Sequence, residues 1–372
     1  MKQPDGEPIR GPAPFEVIQR RGPPGAAAPD NGAGRIELAV PGLPAAAAGA
    51  WELHYRPRLL GPRAVAAPPA PVGRARLAAR ADGCLGTVLE IPAGGWYALD
   101  CALVENGSAR AKQSLGPFGI GERFLIAGQS YAGNHHDALL TVDDPEGRAV
   151  AYDPAARAWR IAHDPQPSWL LAEQGVTHWQ QLAQEIVRKG FVFPGGSVWP
   201  AAMNALVPEL DMPLGTLSVV RSASSLADWL PGSPLFDSLA AAVRHFHPFR
   251  AILWQLGEAD AGRMTASDDF IAQFTRLKQA LAEATGTDPV WMLAKSTYHP
   301  AAHANAEGQQ RVRAAIDRLC ASLDNVVPGP DTDQLGRDYR QVDRQSRHFT
   351  AEGQRRAGEL WARAIADLLE RR

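Results

Sequence analysis

A serine hydroxyl becomes a nucleophile only where a base can take its proton, so a serine and a histidine reaching one edge of a fold are the first residues of interest. Ser130 ends Gly128-Gln129-Ser130, directly after the apolar run Phe124-Leu125-Ile126-Ala127. His348 opens His348-Phe349-Thr350-Ala351-Glu352-Gly353, where a loop delivers a histidine into a helix start. The glycine permits a sharp turn and the serine presents its hydroxyl beyond the strand, while imidazole changes charge near neutral pH. Taken singly, a serine after a glycine is a turn residue and a lone histidine is structural. Together, at the same sheet edge, they could pair a nucleophilic hydroxyl with a base able to take its proton.

Other polar clusters have plainer readings. Adjacent histidines in a loop seldom converge on one ion, so His135-His136-Asp137 reads as substrate-facing or solvent-exposed rather than as a metal site. His299 and His303 flank Pro300 at a helix start with no zincin glutamate, which suits capping or surface. Glu258 and Asp260 stand two apart after a strand, a spacing better suited to bonding a loop than to a glycosidase pair. Trp199, Trp229 and Trp254 could line a sugar platform, against the ordinary role of tryptophan in packing.

The elements that must position these groups fall into two styles. Phe15–Gln19, Arg35–Val40, Trp51–Tyr55, Gly86–Ile91 and Trp96–Cys101 alternate like strands. The last two flank Pro92-Ala93-Gly94-Gly95 and predict a hairpin, with Cys84 and Cys101 near one another across it as free buried thiols. This pattern predicts a small β-sandwich over residues 1–117. From about residue 118, apolar runs alternate with amphipathic segments, the grammar of a parallel sheet covered on both faces. Five strands are expected, at Phe124–Ala127, Thr216–Val220, Ala251–Trp254, Val290–Ala294 and Asn325–Val327. Helices are expected at about Leu235–Phe246, Asp268–Ala284, Ala304–Leu323 and Ala351–Glu370. Tyr131–Pro194 is too long for an ordinary connection and predicts an excursion over the sheet edge. Ligands of such sheets bind beyond the carboxyl ends of the strands, where Ser130 and Glu258 lie.

Ala127-Gly128-Gln129-Ser130, Trp254-Gln255-Leu256-Gly257-Glu258-Ala259-Asp260 and His348-Phe349-Thr350, in this order, resemble blocks of the SGNH-type hydrolases. The branch they are most similar to is the sialate O-acetylesterase-like carbohydrate esterases, with patterns GQSN, WHQGESD and DxxHF. The resemblance implies a flavodoxin-like α/β/α hydrolase domain over 118–372, behind the β domain, with Ser130 as nucleophile and His348 as base. It implies an oxyanion hole from the N–H groups of Ser130 and Ala223, with Gln255 beside them, and a substrate surface including Gln129, Tyr131, Glu258 and Trp229. The chain departs from the patterns in several places. Tyr131 replaces the asparagine of GQSN, and Gln255 and Leu256 stand at the histidine and glutamine of WHQGE. Ser222-Ala223-Ser224-Ser225 takes the place of a GGTS-like turn. Gln345 stands at the helper aspartate, leaving Asp343, five residues before His348, to orient the imidazole.

Composition narrows the class further. In 372 residues, 45% are hydrophobic, and 38 Lys and Arg nearly balance 40 Asp and Glu for a net charge of −2, which is not the basic excess of a nucleic-acid binder. Pro41, Gly42, Pro44 and Gly49 break the most apolar tract, so no membrane span is expected. Three cysteines make no disulfide framework or zinc site. The first residues lack an apolar leader, which reads as cytoplasmic, or as secreted or periplasmic if a leader was trimmed. The expected function is a metal-independent serine esterase, without cofactor, removing O-acetyl groups from a carbohydrate. The same residues leave two alternatives, a degenerate domain that binds glycans without hydrolysis and an O-acyltransferase using the same Ser130 and His348. The particular sugar and the oligomeric state are not written in the sequence.

Overall fold

The computed structural model describes residues 8–21, 32–62, 70–175, 195–298, 305–341 and 347–370. The chain divides into two compact units, one of Met1–Glu122 with Asp211–Leu214, the other of Arg123–Leu210 with Gly215–Arg372.

In the first unit, β1 (Val17–Arg21), β2 (Ala33–Pro44), β5 (Ala78–Ala79) and β6 (Cys84–Pro92) form one ladder set, ordered β1-β2-β6-β5. A second set joins β3 (Trp51–Leu59), β4 (Gly73–Arg76), β7 (Gly95–Glu105) and the 21-residue β8 (Ser108–Gly128). β1 bonds to both sets, through Arg20–Gly34 on one side and, in parallel, Val17–Gly119 on the other, so the ladders are joined. Ile36, Leu38, Leu89 and Ile91 from the first set and Leu53, Leu99, Leu103 and Phe118 from the second share one hydrophobic cluster. The expected hairpin does not form. β6 pairs with β2 and β5 while β7 pairs with β3 and β8, so the turn after Pro92 passes the chain from one ladder set to the other. Cys84 and Cys101 are therefore not cross-strand neighbours, and both are free.

In the second unit the end of β8 pairs in parallel with β12 (Ala251–Gln255), β12 with β13 (Val290–Lys295), and β13 with β14 (Val326–Asp331). On the other side of β8 lies β11 (Leu214–Val220), followed by the antiparallel pair β9 (Ala149–Asp153) and β10 (Ala158–Ile161). The sheet is thus mixed and wider than the five strands expected, because the excursion after Tyr131 returns to it as a hairpin. The boundary expected after residue 117 falls inside β8.

The longer helices among the described residues are α1 (Trp199–Leu210), α2 (Pro234–Phe246), α3 (Ser267–Thr285), α4 (Ala306–Ser322) and α5 (Ala351–Glu370). Capping explains two of the starts. Ser233 accepts from Phe236 N–H ahead of Pro234 in α2, and Asn305 accepts from Gly308 N–H in α4. The apolar stripe of α5 buries Ala357, Trp361, Ile365, Leu368 and Leu369, with Trp361 set 5.2 Å from Trp199 of α1. Trp254 packs edge-on to Trp229 and Trp291, at 5.3 and 5.4 Å between ring centres. No helix among the described residues is long and apolar enough to cross a membrane.

Candidate active site

The site begins where β8 stops. Gly128 sits at φ 133°, and a Cβ there would come within 2.2 Å of the Gln255 carbonyl oxygen, so only glycine fits beside β12. Gln129 N–H donates to that same carbonyl at 3.0 Å, and the chain then turns through the short 3-10 segment Ser130–Ala132. Ser130 Oγ lies 3.0 Å from His348 Nε2. Sequence reasoning named these two residues, and the fold brings them together.

His348 is delivered by a loop tied down on several sides. Its carbonyl accepts from Gln341 N–H at 2.8 Å, and Arg340 donates to the carbonyl of the preceding Arg347, also at 2.8 Å. The Arg340 guanidinium is buried and makes no salt bridge among the described residues. It donates to the carbonyls of Leu335, Thr332 and Arg347 and lies over the rings of Phe349, Tyr298 and Tyr131. Burial is the first cause holding His348 well below the ordinary imidazole range, followed by His135 and His136 and then the cations of Arg347 and Arg340. His348 is therefore unprotonated and able to accept a proton at neutral pH. Its Nδ1 has no hydrogen-bond partner among the described residues. Asp343, the expected orienting carboxylate, lies outside the described residues, as do His299 and His303.

The turn after β11 lies beside the Ser130 turn, because Arg221 N–H donates to Gly128 O at 2.9 Å. Ala223 in this turn is exposed and adopts φ 58°, a left-handed conformation in which glycine would be unstrained. The N–H groups of Ser130 and Ala223 have no acceptors among the described residues, as oxyanion donors require.

Five expected contact residues take other parts. Gln255 is fully buried, its amide donating to Ser296 Oγ at 3.3 Å and accepting from the Trp361 indole at 3.3 Å, so it does not serve the oxyanion hole. Gln129 is buried too, and its side chain bridges Glu258 and the Gly257 N–H. Glu258 also accepts from Arg347 at 3.1 Å, so it links the Ser130 turn to the loop that carries His348. Trp229 is fully buried with its indole N–H on Ser224 Oγ, and Tyr131 is fully buried with its hydroxyl on Tyr298 O. A strand tip signals only that a residue is near the edge. Which way its side chain turns depends on neighbours far away in sequence.

Two histidines that sequence reasoning read as substrate-facing or solvent-exposed sit against His348. His135 stacks on its ring at 5.5 Å and bonds to Ser222 Oγ, and burial lowers its pKa to about 4. His136 is fully buried at 5.8 Å, edge to face, and burial takes its pKa to about 3.

A model of the family described as carbohydrate esterase, sialic acid-specific acetylesterase, matches residues 121–367. The chain belongs to this family. The acetylesterase unit thus coincides with the part of the chain that carries Ser130 and His348, and the chain is a carboxylic ester hydrolase of the SGNH type. Among solved structures, a carbohydrate acetylesterase from Xanthomonas citri aligns over 98% of this chain and 76% of its own, at 15% identity and TM-score 0.53, a likeness of fold. A protein of Arabidopsis thaliana aligns over 66% of this chain and 98% of its own at 17% identity and TM-score 0.47. A carbohydrate acetylesterase from Sinorhizobium meliloti aligns over 67% and 100%, at 13% identity and TM-score 0.40. No curated protein sequence matches the acetylesterase chain.

Proposed function

We propose that this esterase removes O-acetyl groups from a carbohydrate by serine catalysis that draws on no metal ion. The observation that carries the reading is the 3.0 Å approach of Ser130 Oγ to His348 Nε2. Ser130 attacks the acetyl carbonyl as His348 takes its proton, and His348 returns that proton to the leaving sugar alkoxide. Water then repeats the sequence on the acetyl-serine. The N–H groups of Ser130 and Ala223 receive the negative charge of the tetrahedral oxygen, a contribution of about 3 kcal/mol per donor. Asp343 holds Nδ1–H of His348, fixing its tautomer and stabilising the imidazolium as it forms.

In this reading β11, β8, β12, β13 and β14 are the five-stranded parallel core of a flavodoxin-like α/β/α layer. The two ladder sets of the first unit act as a β-sandwich accessory module without a catalytic group. The Ser130–His348 pair supports hydrolysis over a purely glycan-binding role.

Acetate release from acetylated saccharides tests the proposal. Ser130→Ala abolishes release and a chelator leaves the parent rate unchanged. Full activity in Ser130→Ala, or loss of activity on chelation, refutes it.

A further inference from the structure

His136 is the residue in this site whose chemistry is spoken for at both nitrogens. Its Nε2 lies 3.0 Å from the carbonyl oxygen of Tyr131, and Phe349 N–H donates to its Nδ1 at 3.0 Å. A carbonyl can only accept and an amide N–H can only donate, so Nε2 carries the hydrogen and Nδ1 is bare. The ring is neutral and locked in one tautomer, which removes it from candidacy as a general base.

The two anchors are informative by position. Tyr131 is the residue after Ser130, and Phe349 is the residue after His348. The histidine itself is held in place by a reciprocal backbone bridge, His136 N–H to Gly196 O at 2.9 Å and Gly196 N–H to His136 O at 3.1 Å. Asp137 N–H adds a bond to Phe349 O at 3.1 Å. The ring packs on Phe349 at 4.9 Å between ring centres and presents its edge to His348. A single rigid side chain therefore spans the loop that carries the nucleophile and the loop that carries the base.

We propose that His136 is a positioning residue that sets the spacing of Ser130 and His348 by clamping the peptide after each. The inference rests on the serine-esterase reading above. Among the genetically encoded side chains the geometry suits neutral imidazole best. Asparagine can supply the acceptor near the Nδ1 position and glutamine the donor near the Nε2 position, but neither supplies both. Displacement of a reacting pair by about 1 Å costs up to about 100-fold in rate, so the loss belongs in the chemical step.

The test compares His136→Phe, which keeps an aromatic ring and neither bond, with His136→Asn and His136→Gln, which each keep one. Active sites are counted with a fluorophosphonate, and kcat and KM for 4-nitrophenyl acetate are measured per counted site below each variant's melting temperature. The expected result is a fall in kcat of about 10- to 100-fold for His136→Phe, with smaller falls for the other two, KM within twofold and slower phosphonylation of Ser130. A merely structural role would reduce the number of active sites and leave kcat per site at the parent value, and that outcome overturns the proposal. Should His136→Phe not fold, parental kcat per site in both amide variants overturns it equally. In the parent enzyme the ring ¹⁵N shifts are expected to report the Nε2–H tautomer from pH 5 to 9; titration of His136 at the ordinary histidine value overturns the clamp. Ser130→Ala separates the two claims, because activity there defeats the esterase reading, whereas an inactive Ser130→Ala beside fully active His136 variants defeats the clamp alone.

Discussion

Ala223→Gly is expected to stabilise the protein while leaving catalysis intact. Ala223 holds φ 58°, where an L-residue with a Cβ carries about 1–2 kcal/mol of strain that glycine does not. Against that relief stands the freedom glycine adds to the unfolded chain, which costs about 0.4–1 kcal/mol. The methyl group is exposed, so its removal opens no cavity. The balance favours glycine by about 0.5–1 kcal/mol, and for a unit of about 250 residues, at 2–4 °C per kcal/mol, Tm rises by about 1–4 °C. The N–H of residue 223 is unchanged by the substitution, so kcat for acetyl ester cleavage should stay within about twofold if that group is the oxyanion donor. Calorimetry or thermal circular dichroism on parent and variant, with kinetics on the same samples, decides the matter. A lower Tm would show that the strain argument is wrong. A gain in Tm with kcat reduced more than tenfold would show that the turn must be rigid for reasons beyond its N–H.

Gly128→Ala should abolish folding of the site or cost more than about 3 kcal/mol, because its Cβ would sit 2.2 Å from Gln255 O at φ 133°; urea denaturation measures this, and a near-neutral effect would refute the close approach. The rate kcat/KM should stay level as pH falls through 6.5, with its acid limb below, since burial keeps His348 unprotonated there; a limb at the ordinary histidine value would mean a solvated base. Stability should fall on acidification between pH 6.5 and about 4. The unfolded chain binds protons at His135, His136 and His348 in that window while the folded protein does not. Asp164 and Asp260, both raised by burial to about 6, act in the opposite sense as they take up protons in the folded state, but they are two against four, because burial lowers His247 as well; a urea midpoint that rises from pH 7.5 to pH 5 would reverse the assignment. Asp343→Asn should lower kcat more than it raises KM, and a pH–rate profile unchanged in height and position would leave Ser130 and His348 acting as a dyad.

Much of the frame was legible in the sequence because it rests on local periodicity. The stripe of α5 and the apolar runs of β12 and β13 were readable from spacing alone, and so was the pairing of a strand-tip serine with a pre-helical histidine. What stayed hidden depends on partners remote in the chain. A turn between two alternating runs does not say which strands they pair with, and β6 and β7 went to different ladders. Gln255 matched a motif by position, yet its amide is occupied by Ser296 and by Trp361, more than 100 residues away. His136 read as one of two polar residues facing substrate or solvent, and nothing local marks a carbonyl and an amide waiting on either side of its ring.

The path of β8 bears on how such a protein can be rebuilt. Glu122 and Arg123 are consecutive residues of one strand, yet they belong to different units, and Asp211–Leu214 returns to the first unit from the middle of the second. Within the first unit that return is fastened by Glu122 N–H on Pro213 O at 3.1 Å. The polypeptide therefore crosses between its two bodies three times, without a linker at the first crossing. A module in front of this hydrolase cannot be exchanged as a cassette at a single splice point. A chimera that replaces residues 1–122 also has to accommodate Asp211–Leu214, four residues that belong to the same unit.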